Sequence, residues 1–220
     1  MTEQAVRTVI MVSGSGTNLQ AIIDAAVPEI DIVAVVSDNP GAYGLQRAQD
    51  AGIAGVTVDY KSYENRADFD QALLETIQQI DPELIVLAGF MRILDDALVN
   101  AYTGRMLNIH PSLLPDYPGL NTYQRALDAG ESHHGTTVHF VIPELDAGPA
   151  VLQYRVAITP DDTAETLAAR VQQGEYQIYP LAIARVASGQ LQMRDGVVLC
   201  NDEPMVQPDV IDESNASPAA

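Results

Sequence analysis

Apolar positions recur along the first half of the chain in two alternating rhythms. Val6–Val12 is a short apolar run rich in β-branched residues and reads as a strand. It stops at Ser13-Gly14-Ser15-Gly16-Thr17-Asn18, after which Leu19, Ile22, Ile23 and Ala26 fall at helical spacing. Ile32 to Val36 is a second strand ending in Ser37-Asp38-Asn39-Pro40, followed by a helical stretch from Ala42 to Ala51 that Gly52 closes. Val56 to Val58 reads as a third strand. Ala67 to Ile80 reads as a helix with Phe69, Ala72, Leu73, Ile77 and Ile80 on one face, and Leu84 to Ala88 as a buried strand. This alternation predicts an α/β fold with a mostly parallel, twisted sheet covered by helices on both faces.

The second half is patterned differently. Arg105 to His110 reads as a strand, but Pro111, Pro115, Pro118 and Gly119 crowd the residues that follow and predict a long shaped loop. Thr136 to Ile142 and Val151 to Ile158 read as strands joined through Glu144-Leu145-Asp146-Ala147-Gly148-Pro149, and Thr163 to Val186 as a long helix capped by Asp161 or Asp162. From Asp202 the chain is dominated by Pro, Asp, Glu, Ser and Ala and has no periodicity. One domain over 1–201 and a disordered tail over 202–220 are expected.

Composition narrows the function classes. The formal charge is −19, with one lysine and ten scattered arginines among 220 residues, a balance that repels a nucleic-acid backbone. No stretch approaches the roughly 20 uninterrupted apolar residues of a membrane span. The N-terminal residues have no basic region ahead of their apolar run, so a cytoplasmic protein with no membrane partner is expected. The single cysteine, Cys200, can form neither an internal disulfide nor a thiolate metal site. His133 and His134 are adjacent and diverge on any regular element, so no metal is expected.

Two groups of residues carry chemistry. Glycines 14 and 16 stand where a strand enters a helix, a place where backbone N–H groups and the helix dipole receive an anion. Leu19 occupies the position of the third glycine of a dinucleotide fingerprint, so a monophosphate fits better than a pyrophosphate. In the second group, Asn108 and His110 are two apart on a strand and project to the same side at its C-terminal end. An amide there can donate to a developing oxyanion, and an imidazole can carry a proton. A carboxylate beside that histidine would orient the ring and favour its charged form, a role open to Asp146.

These residues also carry a resemblance. The stretches Ser13 to Ile22, Leu87 to Leu94, Leu107 to Pro115, Tyr117-Pro118-Gly119, His134 to Phe140 and Glu144-Leu145-Asp146 resemble the phosphoribosylglycinamide formyltransferase family, over about residues 8 to 194. The resemblance implies a Rossmann-like formyltransferase fold and Asn108, His110 and Asp146 as the catalytic group. It implies that Gly16, Thr17, Asn18, Gln172 and Glu175 bind phosphoribosylglycinamide. It further implies that Arg66, Met91, Arg92, Ile93, Leu94, Asn108, Ile142, Pro143, Glu144, Leu145 and Asp146 surround 10-formyltetrahydrofolate. The family often has histidines in the loop after Tyr-Pro-Gly, where this chain has Asn121 and Tyr123.

On the residues alone, Met91, Ile93 and Leu94 serve equally as core, and Arg66 as a solvated charge beside Glu64 and Asp68. Glu175, inside a helix, would ordinarily face solvent. A monomer or homodimer acting on small molecules is expected. Three alternatives remain open. A formyltetrahydrofolate hydrolase would use the same three residues, although its regulatory N-terminal extension is missing. A methionyl-tRNA formyltransferase would carry a further C-terminal domain. A non-catalytic dinucleotide module would use Asp38 as its ribose acid.

Overall fold

The computed structural model describes residues 4–215, which fall into two compact units divided after Asn108. In the first unit, β1 (Val6–Val12), α1 (Thr17–Ala25), β2 (Ile30–Ser37), α2 (Tyr43–Asp50), β3 (Gly55–Thr57), α3 (Arg66–Ile80), β4 (Leu84–Leu87), α4 (Asp96–Ala101) and β5 (Met106–His110) follow one another. The strands pair in the order β3-β2-β1-β4-β5, all parallel. Val9 to Val12 of β1 and Ile85 and Val86 of β4 are wholly buried, as continuous apolar runs must be in a sheet covered on both faces. Leu19 and Ile22 of α1 and Phe69, Leu73 and Ile77 of α3 supply the helical side of this core. The chain leaves β1 toward β2 and returns to place β4 on the other side of β1, so the strand order switches between β1 and β4. Ligands of doubly wound sheets bind outside the carboxyl ends of strands at such a switch.

The second unit contains the end of β5, then α5 (Thr122–Ala129), β6 (His133–Phe140), β7 (Ala150–Ala157), α6 (Ala164–Ala187), β8 (Leu191–Arg194), β9 (Val197–Cys200), β10 (Glu203–Pro204) and β11 (Asp209–Asp212). Strand β6 is antiparallel to β7, and β11 lies parallel on the other side of β7. Strands β8, β9 and β10 make a separate antiparallel sheet. Helix α6 packs on β6 and β7. Gly174 is required there, because a Cβ at that position would overlap the Tyr154 ring of β7.

The fold is the expected α/β class with a mostly parallel sheet flanked by helices. One expectation is corrected. Helix α6 is capped by Thr163 in a reciprocal pair with Thr166, while Asp162 instead accepts from Thr159 N and Thr166 Oγ1 and pairs with Arg170. Within the expected tail, the structure describes β10, β11 and a 3-10 turn over Glu213–Asn215. Parallel pairing of β11 with β7 supplies backbone partners, and Arg185–Asp209, Arg155–Asp212 and Arg170–Glu213 ion pairs join it to the body. Charge pairing rather than apolar periodicity holds this segment, which is why a hydrophobic pattern does not reveal it. The expectation for 216–220 lies outside the described residues.

Candidate active site

In the first unit, two segments leave the carboxyl ends of neighbouring strands. After β1, the turn Ser13 to Gly16 has four consecutive carbonyls occupied. Ser13 O accepts from Asn39 Nδ2 (3.3 Å), Gly14 O from Gly44 N (3.0 Å), Ser15 O from Arg47 Nε (2.8 Å) and Gly16 O from Gln20 N (2.9 Å). In a trans peptide the N–H points opposite to the preceding carbonyl, so the N–H groups of Gly14, Ser15 and Gly16 face away from these donors. Gly16 is the N-cap of α1 at φ +68°, and a Cβ there would stand 2.7 Å from Gly44 Cα. Only glycine meets both demands. Helices α3, α4 and α6 are capped by Asn65, Asp95 and Thr163 side chains, whereas α1 begins on a residue with no side chain. Helices α2 and α5 likewise begin without a side-chain cap. Thr17 and Asn18 follow, both half-buried.

The second segment, residues 88–94 after β4, is stitched to the first. Ser13 N donates to Gly89 O (3.1 Å) and Met91 N donates to Ser13 Oγ (2.9 Å). Met91 and Ile93 are exposed, so they are not core, while Leu94 is buried. Arg66 Nη2 donates to Ile93 O (2.9 Å), and its ion-pair partner is Asp70, one helical turn on, rather than Glu64 or Asp68. Arg92 Nε donates to Asp38 Oδ2 (2.8 Å), with its guanidinium 3.6 Å above the Tyr60 ring. Asp38 Oδ2 is therefore committed to an arginine, and the carboxylate as a whole is 4% exposed, which closes it to a ribose.

In the second unit, His110 closes β5 and is buried. Its Nδ1 lies 3.3 Å from Asp146 Oδ2, and its Nε2 lies 3.1 Å from Tyr117 O. Both ring nitrogens thus face oxygens that only accept, and the ring can donate to both at once only when it carries two protons. Asp146 Oδ2 also accepts from Gly119 N (2.9 Å), which ties the turn at 146 to the Tyr117-Pro118-Gly119 loop. Asp146 itself stands at φ +51°, a left-handed conformation that Asp and Asn adopt more readily than other residues with a side chain. Around it, Ile142 is half-buried, and Pro143, Glu144 and Leu145 are exposed. Asn108, two residues before His110 on β5, is half-buried.

The loop is built from below by histidine and threonine. Thr136 Oγ1 donates to His110 O (2.9 Å), and Thr137 Oγ1 to Ser112 O (2.7 Å). His134 is buried, with Nε2 3.1 Å from Pro111 O, and the rings of Tyr117 and Tyr123 meet it edge-on. Burial above all holds its pKa below the ordinary imidazole range. His133 is exposed and turned to Ser132 Oγ, so the adjacent histidines do diverge.

On α6, Gln172 is half-buried and Glu175 is buried at 7% exposure, against the ordinary expectation for a helical glutamate. Burial first, and the charge of Glu175 second, push the Tyr123 phenol up. The structure thus joins His110 to Asp146 in one unit, and the 13–18 turn to Arg66 and 91–94 in the other. Sequence reasoning did not find the Asp38–Arg92 pair, the carbonyl anchors of Asn39 and Arg47, or helix α5. Long-range pairing of this kind leaves no periodic signal, although Asp38 at a strand end was a visible clue.

Comparison with known proteins gives a consistent picture. A model described as "Formyl transferase" matches residues 6–183. The chain is 48% identical over 190 residues to the phosphoribosylglycinamide formyltransferase of Escherichia coli, covering 85% of this chain and 90% of that protein. It is 47% identical to the solved structure of the phosphoribosylglycinamide formyltransferase of Coxiella burnetii, with a TM-score of 0.89, covering 94% and 99% of the two chains. The glycinamide ribonucleotide transformylase 1 structure from Symbiobacterium toebii is 40% identical with a TM-score of 0.86, covering 91% and 97%.

Proposed function

The chain belongs to the formyl transferase family, and on that premise we propose that it moves the formyl group of 10-formyltetrahydrofolate onto the amine of 5'-phosphoribosylglycinamide. The products are 5'-phosphoribosyl-N-formylglycinamide and tetrahydrofolate, a step of purine synthesis. The observation that carries the reading is the buried His110–Asp146 pair at the end of β5.

The acceptor amine attacks the formyl carbon and forms a C–N bond, and the carbonyl electrons collect on oxygen. Asn108 and His110 donate to that oxygen, where the charge grows in the transition state, the His110 Nε2 exchanging its contact with Tyr117 O for it while Nδ1 stays on Asp146. The tetrahedral carbon then expels the folate nitrogen. The proton lost by the attacking amine reaches that nitrogen through His110 or a water held by Asp146. Asp146 keeps the imidazole oriented throughout. No covalent link to the protein is formed.

In this reading the N–H groups at Gly16, Thr17 and Asn18 receive the acceptor phosphate, and Gln172 and Glu175 approach its glycinamide end. Arg66, Met91, Arg92, Ile93, Leu94 and Asn108, with Ile142 to Asp146, surround the folate. The exposure of Met91 and Ile93 leaves both apolar side chains of this wall open to a ligand. We further propose a cytoplasmic protein acting on small molecules as a monomer or homodimer. Among the described residues no helix is long and apolar enough to cross a membrane.

The test is incubation with 10-formyl-5,8-dideazafolate with and without phosphoribosylglycinamide. Loss of the formyl group that depends on the acceptor supports transfer. Equal loss without it supports a hydrolase instead.

A further inference from the structure

We propose that Asp38 is a positioning residue for the folate side of the site, acting through Arg92 on residues 91–94. This rests on the reading of those residues as a folate wall. The segment has no regular secondary structure, and its side chains at 91 and 93 are 73% and 55% exposed, so apolar packing does not hold it along its length. Leu94 anchors only its end. What remains is polar: Ser13 Oγ at Met91 N, Arg66 at Ile93 O, and Asp38 at Arg92.

These three tethers differ in strength for a physical reason. The Arg66 side chain is more than half exposed, so water competes for its bond. The Asp38 carboxylate is 4% exposed, and the guanidinium it holds, on a side chain 37% exposed, lies against the Tyr60 ring on one face. Desolvation strengthens both the charged hydrogen bond and the ring contact. Asp38 is itself fixed at the end of β2, where its carbonyl accepts from Tyr60 N (3.1 Å). The pair therefore links the end of β2 to the segment after β4, across 54 positions of sequence.

The pair is a costly way to gain stability. Asp38 Oδ1 is buried with no hydrogen-bond partner, and a buried carboxylate with one oxygen unsatisfied forfeits much of its Coulomb gain. What the arrangement does supply is direction. It fixes the side chain, and so the backbone, of the middle residue in a segment whose two neighbours point into solvent. A wall fixed before the ligand arrives spares the ligand the cost of ordering it.

The test compares the wild type with Asp38→Ala and Asp38→Asn in equilibrium titrations with 10-formyl-5,8-dideazafolate and, separately, with phosphoribosylglycinamide. Asp38→Ala is expected to weaken the folate analogue about tenfold, and Asp38→Asn by about threefold, as order-of-magnitude costs of lost preorganisation. Acceptor affinity should stay within about twofold, and kcat at saturating folate should hold while the folate KM rises. An unchanged folate affinity overturns the inference. So does equal weakening of both substrates in step with a falling Tm, which is the mark of a general structural role. Should Asp38→Ala fail to fold, Asp38→Asn carries the same test, and an unchanged folate Kd in it is equally fatal. A wild type that binds no folate analogue would bring down the functional reading itself, whereas a wild type that binds alongside indifferent variants would remove only the role of Asp38.

Discussion

Asp146 Oδ2 bridges the His110 ring and the loop facing it, standing 3.3 Å from Nδ1 and 2.9 Å from the amide nitrogen of Gly119. One carboxylate oxygen thus orients the imidazole and closes the 117–119 loop over it. Asp146→Asn keeps the volume and an acceptor for Gly119 but removes the charge beside the ring. Turnover should fall by about a hundredfold or more, the scale of a lost acid–base arrangement, while KM for either substrate changes little. Steady-state kinetics beside a melting curve checks this. Near-normal kcat at unchanged Tm would reduce Asp146 to a turn residue.

The carbonyls of residues 13 to 16 are anchored, and the N–H groups of Gly14, Ser15 and Gly16 face away from those donors. Inorganic phosphate at constant ionic strength should therefore compete with the acceptor and leave folate KM alone. Gly16→Ala should raise the acceptor KM and lower Tm, because its Cβ meets Gly44 and its backbone is left-handed, a strain of about 1–3 kcal/mol. Competition against folate instead would mean that the two substrates have been assigned to the wrong segments.

His134 and His139 are both held below the ordinary imidazole range, in each case first by burial. The folded state then binds fewer protons than the unfolded state once the pH drops below about 6.5. Their contribution to stability is complete above that value and is lost as the pH falls toward the folded values. The loss is at most about 1.4 kcal/mol per pH unit for each histidine. Denaturant midpoints at pH 7.5, 6.5 and 5.5 should decline, and His134→Gln should shallow the decline. A stability that rises on acidification over that range contradicts the assignment.

Much of the fold was legible because buried parallel strands write themselves as uninterrupted apolar runs. Val6–Val12 and Leu84–Leu87 are read almost to the residue. Helices α4 and α5 are short and half-exposed, with too few turns to establish a period. Of the site, His110 with Asp146 was legible from a strand end and a turn, and the glycine turn from its position between strand and helix. Glu175 was readable only through resemblance, because nothing local says that Gly174 draws its helix down onto Tyr154. Asp38 stood out at a strand end, but its pairing with Arg92 did not, because a charge does not name its long-range partner.

Strand β11 adds backbone pairing to β7, two arginines reach it from the body, and a third reaches Glu213 just after it. A chain ending at Asn201 should lose several degrees of Tm, although each exposed ion pair alone contributes only about 0.2–1 kcal/mol. Differential scanning calorimetry of the truncated and full chains decides it. Identical melting would mean that the segment adds nothing to the stability of the body.

The central claim is transfer to an amine rather than to water, and the destination of the formyl carbon tests it most directly. With the carbon of the formyl group isotopically labelled and phosphoribosylglycinamide present, the label should appear on the glycinamide nitrogen in step with release of the deformylated folate. Label recovered as formate, at one rate with or without the acceptor, would contradict the account.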